Sequence, residues 1–324
     1  MLHHNELKNN TPTSGTPHAV IHQVREAVVG KSDIIEQIMM AILAKGHVLV
    51  EDIPGTGKTT MALAFSHAMG LKANRVQFTP DVLPADLTGF TIYQKETGKF
   101  VYQAGAVMCN LLLADEINRT SPKTQSALLE VMEERQVTVD GVTRNVGNPF
   151  VVIATENPTG SAGTQLLPES QLDRFMICVK MGYPTVEEEI DILKRNQYGR
   201  ADTLVERVFS AKELLAAQEM VSQIYIDDVI YDYIARLAKA TREQEMLAMG
   251  LSPRGTIALA AMAKAKAFLS GRRYVIPDDV KYVFPAVAMH RVKLSTKAKV
   301  GHIQTDDLLW QILSRTAAPT IARR

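Results

Sequence analysis

Cysteine is nearly absent from this chain, with two in 324 residues. Cys109 and Cys178 stand apart from any His or second Cys at a metal-ligand or redox spacing. That excludes a disulfide framework and a cysteine-based metal site, and leaves two small core residues in a reducing compartment. An excess of charge of one sign is also missing. Thirty-six Lys plus Arg against 35 Asp plus Glu leave a net charge of +1, so the overall balance does not draw the chain to nucleic acid or to an acidic membrane surface. Long apolar runs are lacking too. They are broken by Lys or Gly before about 18 residues, as across 257–269, and no membrane span is expected. The first 17 residues, MLHHNELKNNTPTSGTP, contain no apolar stretch of the signal-peptide kind and read as a flexible leader of a cytoplasmic protein. His3 and His4 within it are an adjacent pair with no further ligand, and are read as no metal site. Internal repeats and low-complexity tracts are absent.

The composition that remains, 46% hydrophobic and 22% charged, is that of a soluble globular protein. Three hundred and twenty-four residues exceed what one core usually serves, so two domains with a core each are expected. In the first half, five short apolar runs rich in β-branched residues (47–51, 75–79, 110–115, 150–155 and 175–180) alternate with amphipathic helical patterns at 59–69 and 123–134. This alternation predicts an α/β fold with a central parallel five-stranded sheet covered on both faces. From Tyr183-Pro184 onward the strand signal ends. Helical spacing then runs through 186–197, 211–222, 227–244, 254–269 and 277–284, predicting a smaller all-α domain. The expected division is a leader over 1–17, a core over 18–183 and a helical unit over 184–324.

Two inserts interrupt the α/β half. Asp140-Gly141 lies between two alternating β-forming runs and suits a type I′ turn, which predicts a hairpin just before the fourth strand. A second excursion spans 84–106, where Gly89, Gly98 and Gly105 punctuate Phe90, Tyr93, Phe100 and Tyr102.

The chemistry concentrates at the ends of the predicted strands. Asp52-Ile-Pro-Gly-Thr-Gly-Lys-Thr59 follows an apolar strand and opens a helix, the context in which backbone N–H groups and a helix N-terminus hold phosphate oxygens. Pro54, Gly55, Thr56, Gly57 and Thr60 belong to this loop. Lys58 is expected to reach the β- and γ-phosphates of ATP, and Thr59 to ligate Mg²⁺. The strand Leu111-Leu-Leu-Ala-Asp115 ends in two carboxylates. Asp115 is suited to hold Mg²⁺ through its water shell, and Glu116 to orient or deprotonate an attacking water. Asn157, at the end of the next strand, can hydrogen-bond the γ-phosphate or that water, although a turn Asn before Pro158 reads the same way. Arg174 stands just before the fifth strand and Arg254 at a helix start after Ser252-Pro253. Each can stabilise phosphoryl charge, and each also fits a plain surface charge.

Together these segments resemble the AAA+ ATPases and, within them, the MoxR family. The resemblance covers about residues 20–318 and rests on LVEDIPGTGKTT, with Asp52 where the first glycine of the loop is usual, on QFTPDVLPADLTG, LLLADEINRTSPKTQSALLEVMEERQVTVDG and VIATENPTGSAGTQLLPESQLDRF, and on LSPRG. The resemblance implies a P-loop core followed by a helical lid. It implies Val29 and Gly30 beside the adenine, Asp115 and Glu116 as the Walker B pair, Asn157 as sensor 1, Arg174 as the arginine finger of a neighbouring subunit, and Arg254 as sensor 2. It further implies a homo-oligomeric ring, commonly hexameric, that remodels or matures protein complexes with a von Willebrand factor A domain partner. Two departures stand out: Lys31 replaces a common Gln, and Glu156 replaces the Gln usual before sensor 1, adding negative charge near the phosphates. A metal-chelatase motor with the same ATPase chemistry is a second reading. A nucleic-acid motor is a third, disfavoured by the acidic hairpin tip Asp140-Gly141.

Overall fold

The computed structural model describes residues 13–51, 56–156, 167–197 and 205–320. Asp52, Pro54, Gly55 and Asn157 therefore lie outside the described residues. Two helices that the sequence reading did not single out, α1 (Pro17–Ala27) and α2 (Ser32–Leu43), precede β1 (Val48–Glu51). Helix α3 (Lys58–Ala68) leads to β2 (Ala73–Gln77). The first insert is a short helix, α4 (Pro84–Thr88), and a hairpin of β3 (Gly89–Gln94) with β4 (Lys99–Ala104). Strand β5 (Leu111–Asp115) runs through one 3₁₀ turn (Ile117–Arg119) into α5 (Pro122–Glu134). The second hairpin, β6 (Gln136–Val139) and β7 (Val142–Asn145), turns on Asp140 and Gly141, both at positive φ as a type I′ turn requires. Strand β8 (Val151–Glu156), short helix α6 (Glu169–Leu172) and β9 (Ile177–Val179) complete the α/β part.

The five strands form one sheet in the order β2-β5-β8-β1-β9, all parallel. Burial on both faces explains the unbroken apolar runs of β1, β5, β8 and β9, because successive side chains point to opposite sides, whereas β2, Ala-Asn-Arg-Val-Gln at the edge, is only half-buried. Val48, Val50, Leu111, Leu113, Val151, Ile153, Ile177 and Val179 face one cluster, whereas Leu49, Leu112, Ala114, Val152, Ala154 and Cys178 face the other.

The remaining chain is helical: α7 (Val186–Gln197), α8 (Ala211–Ser222), α9 (Asp228–Glu243), α10 (Pro253–Leu269), α11 (Pro277–Ala288), α12 (Thr296–Val300) and α13 (Thr305–Arg315). It is not purely so. A two-stranded antiparallel ribbon of β10 (Leu247–Met249) and β11 (Lys293–Leu294) ties the end of α9 to the stretch after α11, and its strands are too short to give a periodic signal. Helix α11 also continues through Pro285 to Ala288, beyond the boundary read from the sequence. Two cores do exist, but the sheet divides them, not the junction between the halves. The cluster over α1–α3 continues without a break into Leu214, Ile234, Met262, Phe284 and Leu309 of the helical unit. Three helices open on a hydroxyl residue followed by proline: Thr16-Pro17, Ser121-Pro122 and Ser252-Pro253. In each the hydroxyl oxygen caps an N–H that the helix cannot satisfy and the proline sits where its missing N–H costs nothing.

At the amino edge of the sheet, buried His47 joins two layers. Its Nδ1 accepts from the Val152 N–H (2.9 Å), which makes Nε2 the protonated nitrogen that donates to the Met132 carbonyl (3.0 Å). Burial, opposed in part by the Met132 bond, lowers its pKa from 6.5 to about 4. As pH falls, the unfolded chain takes up this proton first, so the stabilisation present above pH 6.5 is lost progressively towards pH 4. A His47→Gln protein should show a shallower loss of stability over this range in urea titrations, the difference being on the order of 3 kcal/mol. Part of the slope should persist, because burial also holds the pKa of His290 well below its ordinary value.

Candidate active site

The carboxyl edge of the sheet carries the acids. Asp115 ends β5 and is 5% exposed. Its Oδ2 accepts from Arg75 Nε on β2 (2.7 Å) and its Oδ1 from the hydroxyl of Thr155 on β8 (3.3 Å). The same Thr155 oxygen accepts the backbone N–H of Glu116 (2.9 Å). Glu116 has φ 57° and ψ 49°, left-handed backbone for a residue with a side chain, a conformation that costs about 1–3 kcal/mol unless its surroundings enforce it. Thr155 supplies part of that enforcement from behind, and Arg119 Nη1 holds Glu116 Oε2 in front (2.8 Å). Arg75, Thr155 and Arg119 were not singled out in the sequence, because their partners lie on other strands or on a turn whose geometry no pattern reveals.

Helix α3 begins at Lys58, with Thr59 and Thr60 in its first turn. Its cap residue, Gly57, is left-handed (φ +88°), and no side chain among the described residues caps the helix. This helix N-terminus follows the carboxyl end of β1, a placement suited to an anion. Thr59 and Asp115 are hard oxygen donors, the type Mg²⁺ takes in small number while phosphates and waters complete its shell. Among the described residues there is no cluster of three or more His, Cys, Asp or Glu able to hold a metal by itself.

Val29 and Gly30 lie in the turn between α1 and α2, and Val29 lines a cleft of about 400 Å³ with Glu187, Glu188, Ile190, Asp191 and Lys194 of α7. Gly30 has φ +75°, and a Cβ there would lie 1.8 Å from Glu188 Oε1, so only glycine fits beneath α7. Lys31 reaches the Tyr183 carbonyl (3.3 Å) and Glu188 (4.0 Å), bringing the start of the lid to this turn.

Glu156 is the direct parallel neighbour of Glu51 in the β1–β8 register, with buried Cys178 on the same face of β9. Burial, and then the Glu51 carboxylate, raise its pKa from 4.5 to about 7. Burial likewise keeps both cysteines as thiols, Cys109 being pushed up to about 11 and Cys178 further.

The two arginines are elsewhere. Arg174 Nε pairs with Glu133 Oε2 (2.9 Å) and Arg254 Nη2 with Glu133 Oε1 (2.6 Å), so one carboxylate near the end of α5 gathers both. They line a cleft of about 330 Å³ that also includes His47, Asp173 and Arg291. This is the amino edge: Met176 N–H bonds the carbonyl of His47, the residue just before β1. Strand β1 separates it from the loop at its other end by about 13 Å at 3.3 Å per residue. Lys58, Thr59, Asp115 and Glu116 are therefore brought together, while Arg174 and Arg254 are brought together on the opposite edge of the same chain.

A parallel sheet in this order, with a helix N-terminus and paired acids at its carboxyl edge and a helical lid, defines an ATPase of the AAA+ class. The description "ATPase family associated with various cellular activities (AAA)" matches residues 47–177, and "AAA lid domain" matches 239–312. Uncharacterized protein YeaC of Bacillus subtilis is 46% identical, over 92% of this chain and 93% of its own length. Chaperone MoxR1 of Mycobacterium tuberculosis is 38% identical, over 94% and 83%. A crystal structure of a protein from Cytophaga hutchinsonii superposes with a TM-score of 0.87 at 36% identity, covering 94% of both chains. The chain belongs to the MoxR family of AAA+ ATPases.

Two expectations follow from the acids. Because Glu156 holds its proton in the folded state up to about pH 7, the stability it contributes is complete below 4.5 and is lost as pH rises through 7. Glu156→Gln, which cannot ionise, should therefore lose less stability than the parent when pH is raised from about 6 to about 9, as read by thermal unfolding. Thr155→Val keeps the shape but leaves Asp115 and the Glu116 N–H each one bond short. ATP turnover should fall roughly tenfold or more with little change in nucleotide affinity, and Thr155→Ser should restore most of it.

Proposed function

We propose that this protein hydrolyses ATP to ADP and phosphate at the interfaces of a homo-oligomeric ring, a hexamer by analogy with its class, and uses the cycle to remodel or mature protein complexes. The observation that carries this reading is the segregation of Lys58 and Glu116 from Arg174 and Arg254 on opposite edges of one sheet. A chain so arranged cannot direct its arginines at its own phosphates, whereas a neighbour placed edge to edge can receive them.

In this reading Pro54, Gly55, Thr56, Gly57, Lys58, Thr59 and Thr60 cradle the phosphates, and Val29 and Gly30 lie at the base. Thr59 and Asp115 hold Mg²⁺, which supplies charge neutralisation at the phosphates. Glu116 activates the water and Asn157 orients it or the γ-phosphate. Arg174 and Arg254 act in trans, exchanging exposed and replaceable pairs with Glu133 for phosphate oxygens. Residues 18–183 constitute the core and 184–324 the lid. The similarity to a protein named Chaperone MoxR1 supports remodelling of protein, and a von Willebrand factor A domain protein is the partner we propose for it. The hairpin tip argues against a nucleic-acid motor: Arg144, its one basic residue, folds back onto the Val139 and Val142 carbonyls and lies 3.9 Å over the Tyr102 ring.

Lys58→Ala should abolish ATP binding, measured by calorimetry. Glu116→Gln should bind ATP and turn it over about 100-fold more slowly or worse. Mixing Arg174→Ala with Glu116→Gln subunits should restore turnover, because interfaces then form with an intact acid on one side and an intact arginine on the other. Absence of rescue, in rings shown by labelling to contain both, would overturn action in trans.

A further inference from the structure

Arg291, in the stretch between α11 and β11, is a charged residue with a side chain only 2% exposed. A guanidinium has five N–H donors, and here all five are used. Nε donates to Asp173 Oδ1 (2.7 Å). Nη1 donates to the carbonyls of Met176 (2.9 Å) and Val287 (2.7 Å). Nη2 donates to the carbonyls of Asp173 (3.1 Å) and Phe175 (2.5 Å). Four of these five bonds end on the segment Asp173–Met176, which contains Arg174. The other oxygen of Asp173 accepts from the hydroxyl of Ser252 (2.7 Å), the residue that caps α10 two positions before Arg254. Next to Arg254, Gly255 leaves room for the Arg291 stem, for a Cβ there would lie 2.7 Å from Arg291 Cδ. His290 adds a bond from Nε2 to the Phe175 carbonyl (3.0 Å).

We propose that Arg291 is a positioning residue that fastens Arg174 and Arg254 into one rigid unit, through Asp173 and the Ser252 cap, so that both reach a neighbouring subunit's nucleotide in fixed register. The proposal rests on the trans reading above. The chemistry favours arginine at position 291. A lysine there would preserve the charge opposite Asp173 but, with three donors on a single nitrogen, could not span an acid and four carbonyls. The Asp173–Met176 segment would then lose its template. Misplacement of a reacting group by about 1 Å is enough to cost ~100-fold in rate.

The test uses the full chain. Arg291→Lys should bind ATP and assemble as the parent does, yet turn over ~100-fold more slowly. Mixing it with Glu116→Gln subunits, whose arginines are intact, should restore turnover. In an Arg174→Ala, Arg254→Ala background, Arg291→Lys should produce no further loss. Turnover within twofold of the parent, or an equal further loss in the arginine-less background, would overturn the proposal. If Arg291→Lys does not fold, Ser252→Ala carries the same test, since it breaks the Ser252–Asp173 link and leaves the buried Arg291 charge paired with Asp173. Failure of the trans reading is read separately, from the Arg174→Ala and Glu116→Gln mixture, in which Arg291 is untouched.

Discussion

The common polarity of five parallel strands is the constraint on which the rest of this molecule depends. Parallel pairing sends every strand's carboxyl end to one edge, so the loop after β1, the acids after β5 and the end of β8 collect there whatever their separation in sequence. The same rule sends residues that precede the strands to the other edge, where Arg174, three residues before the first paired residue of β9, meets the end of α5. In the proposed reading, hydrolysis of a phosphoanhydride with arginine assistance then requires a second copy, and the proposed ring follows from strand direction.

Within the carboxyl edge, the costly features are local and the features that sustain them are distant in sequence. Glu116 adopts left-handed backbone immediately after a fully buried strand, and the hydroxyl that receives its N–H lies 39 positions away on β8. Asp115 is likewise held by Thr155 and Arg75, each 40 positions off. Such a site forms only once the sheet has its register, because a slip of one residue would turn Thr155 to the opposite face. The alternating burial of β5 and β8 against two hydrophobic clusters opposes that slip, so core packing and active-site geometry are a single constraint.

This also explains what the sequence revealed. Continuous apolar runs reported four of the five strands, since burial on two faces leaves its mark in the strand itself, whereas β2 begins two residues before the run read at 75–79 and is half-exposed. The loop at 52–59 and the acids at 115 and 116 were legible because their chemistry is contiguous. Asp140-Gly141 disclosed its hairpin because positive φ at two successive residues demands such a pair. Arg291 was not legible. It follows an apolar helix, reads as a charge at a helix end, and acquires its meaning from partners 115 to 118 positions earlier. Helices α1 and α2 do carry a helical apolar pattern, Val20, Ile21 and Val24 in the first and Ile35, Ile38, Met39 and Ile42 in the second, which the sequence reading did not single out. The ribbon of β10 and β11 escaped because two and three residues carry no period. That Arg174 and Arg254 share Glu133 was hidden too, since three charges on three elements have no common signal in the chain.

Rigidity is distributed unevenly between the two edges, and the distribution matches what each must do. At the amino edge, buried donors hold the lid to the core, Arg291 on the Asp173–Met176 segment and His290 on Phe175, and within the core His47 ties β8 to α5. At the carboxyl edge α7 meets the core through polar pairs, Lys31 with Glu188 at 4.0 Å and Arg195 with the Glu26 carbonyl, while its Val186, Ile190 and Leu193 remain 68%, 45% and 68% exposed. Regions held by few buried contacts open at low free energy, whereas fully bonded buried networks do not. The chain is therefore yielding beside the turn at Val29 and Gly30, and stiff where, in the proposed ring, it presents two guanidiniums to another subunit. An element that acts on a neighbour gains nothing from adapting to it. Its contribution depends on being in place before the neighbour's phosphate charge develops, and electrostatic assistance of this kind is strongest when the protein does not reorganise at the moment of reaction.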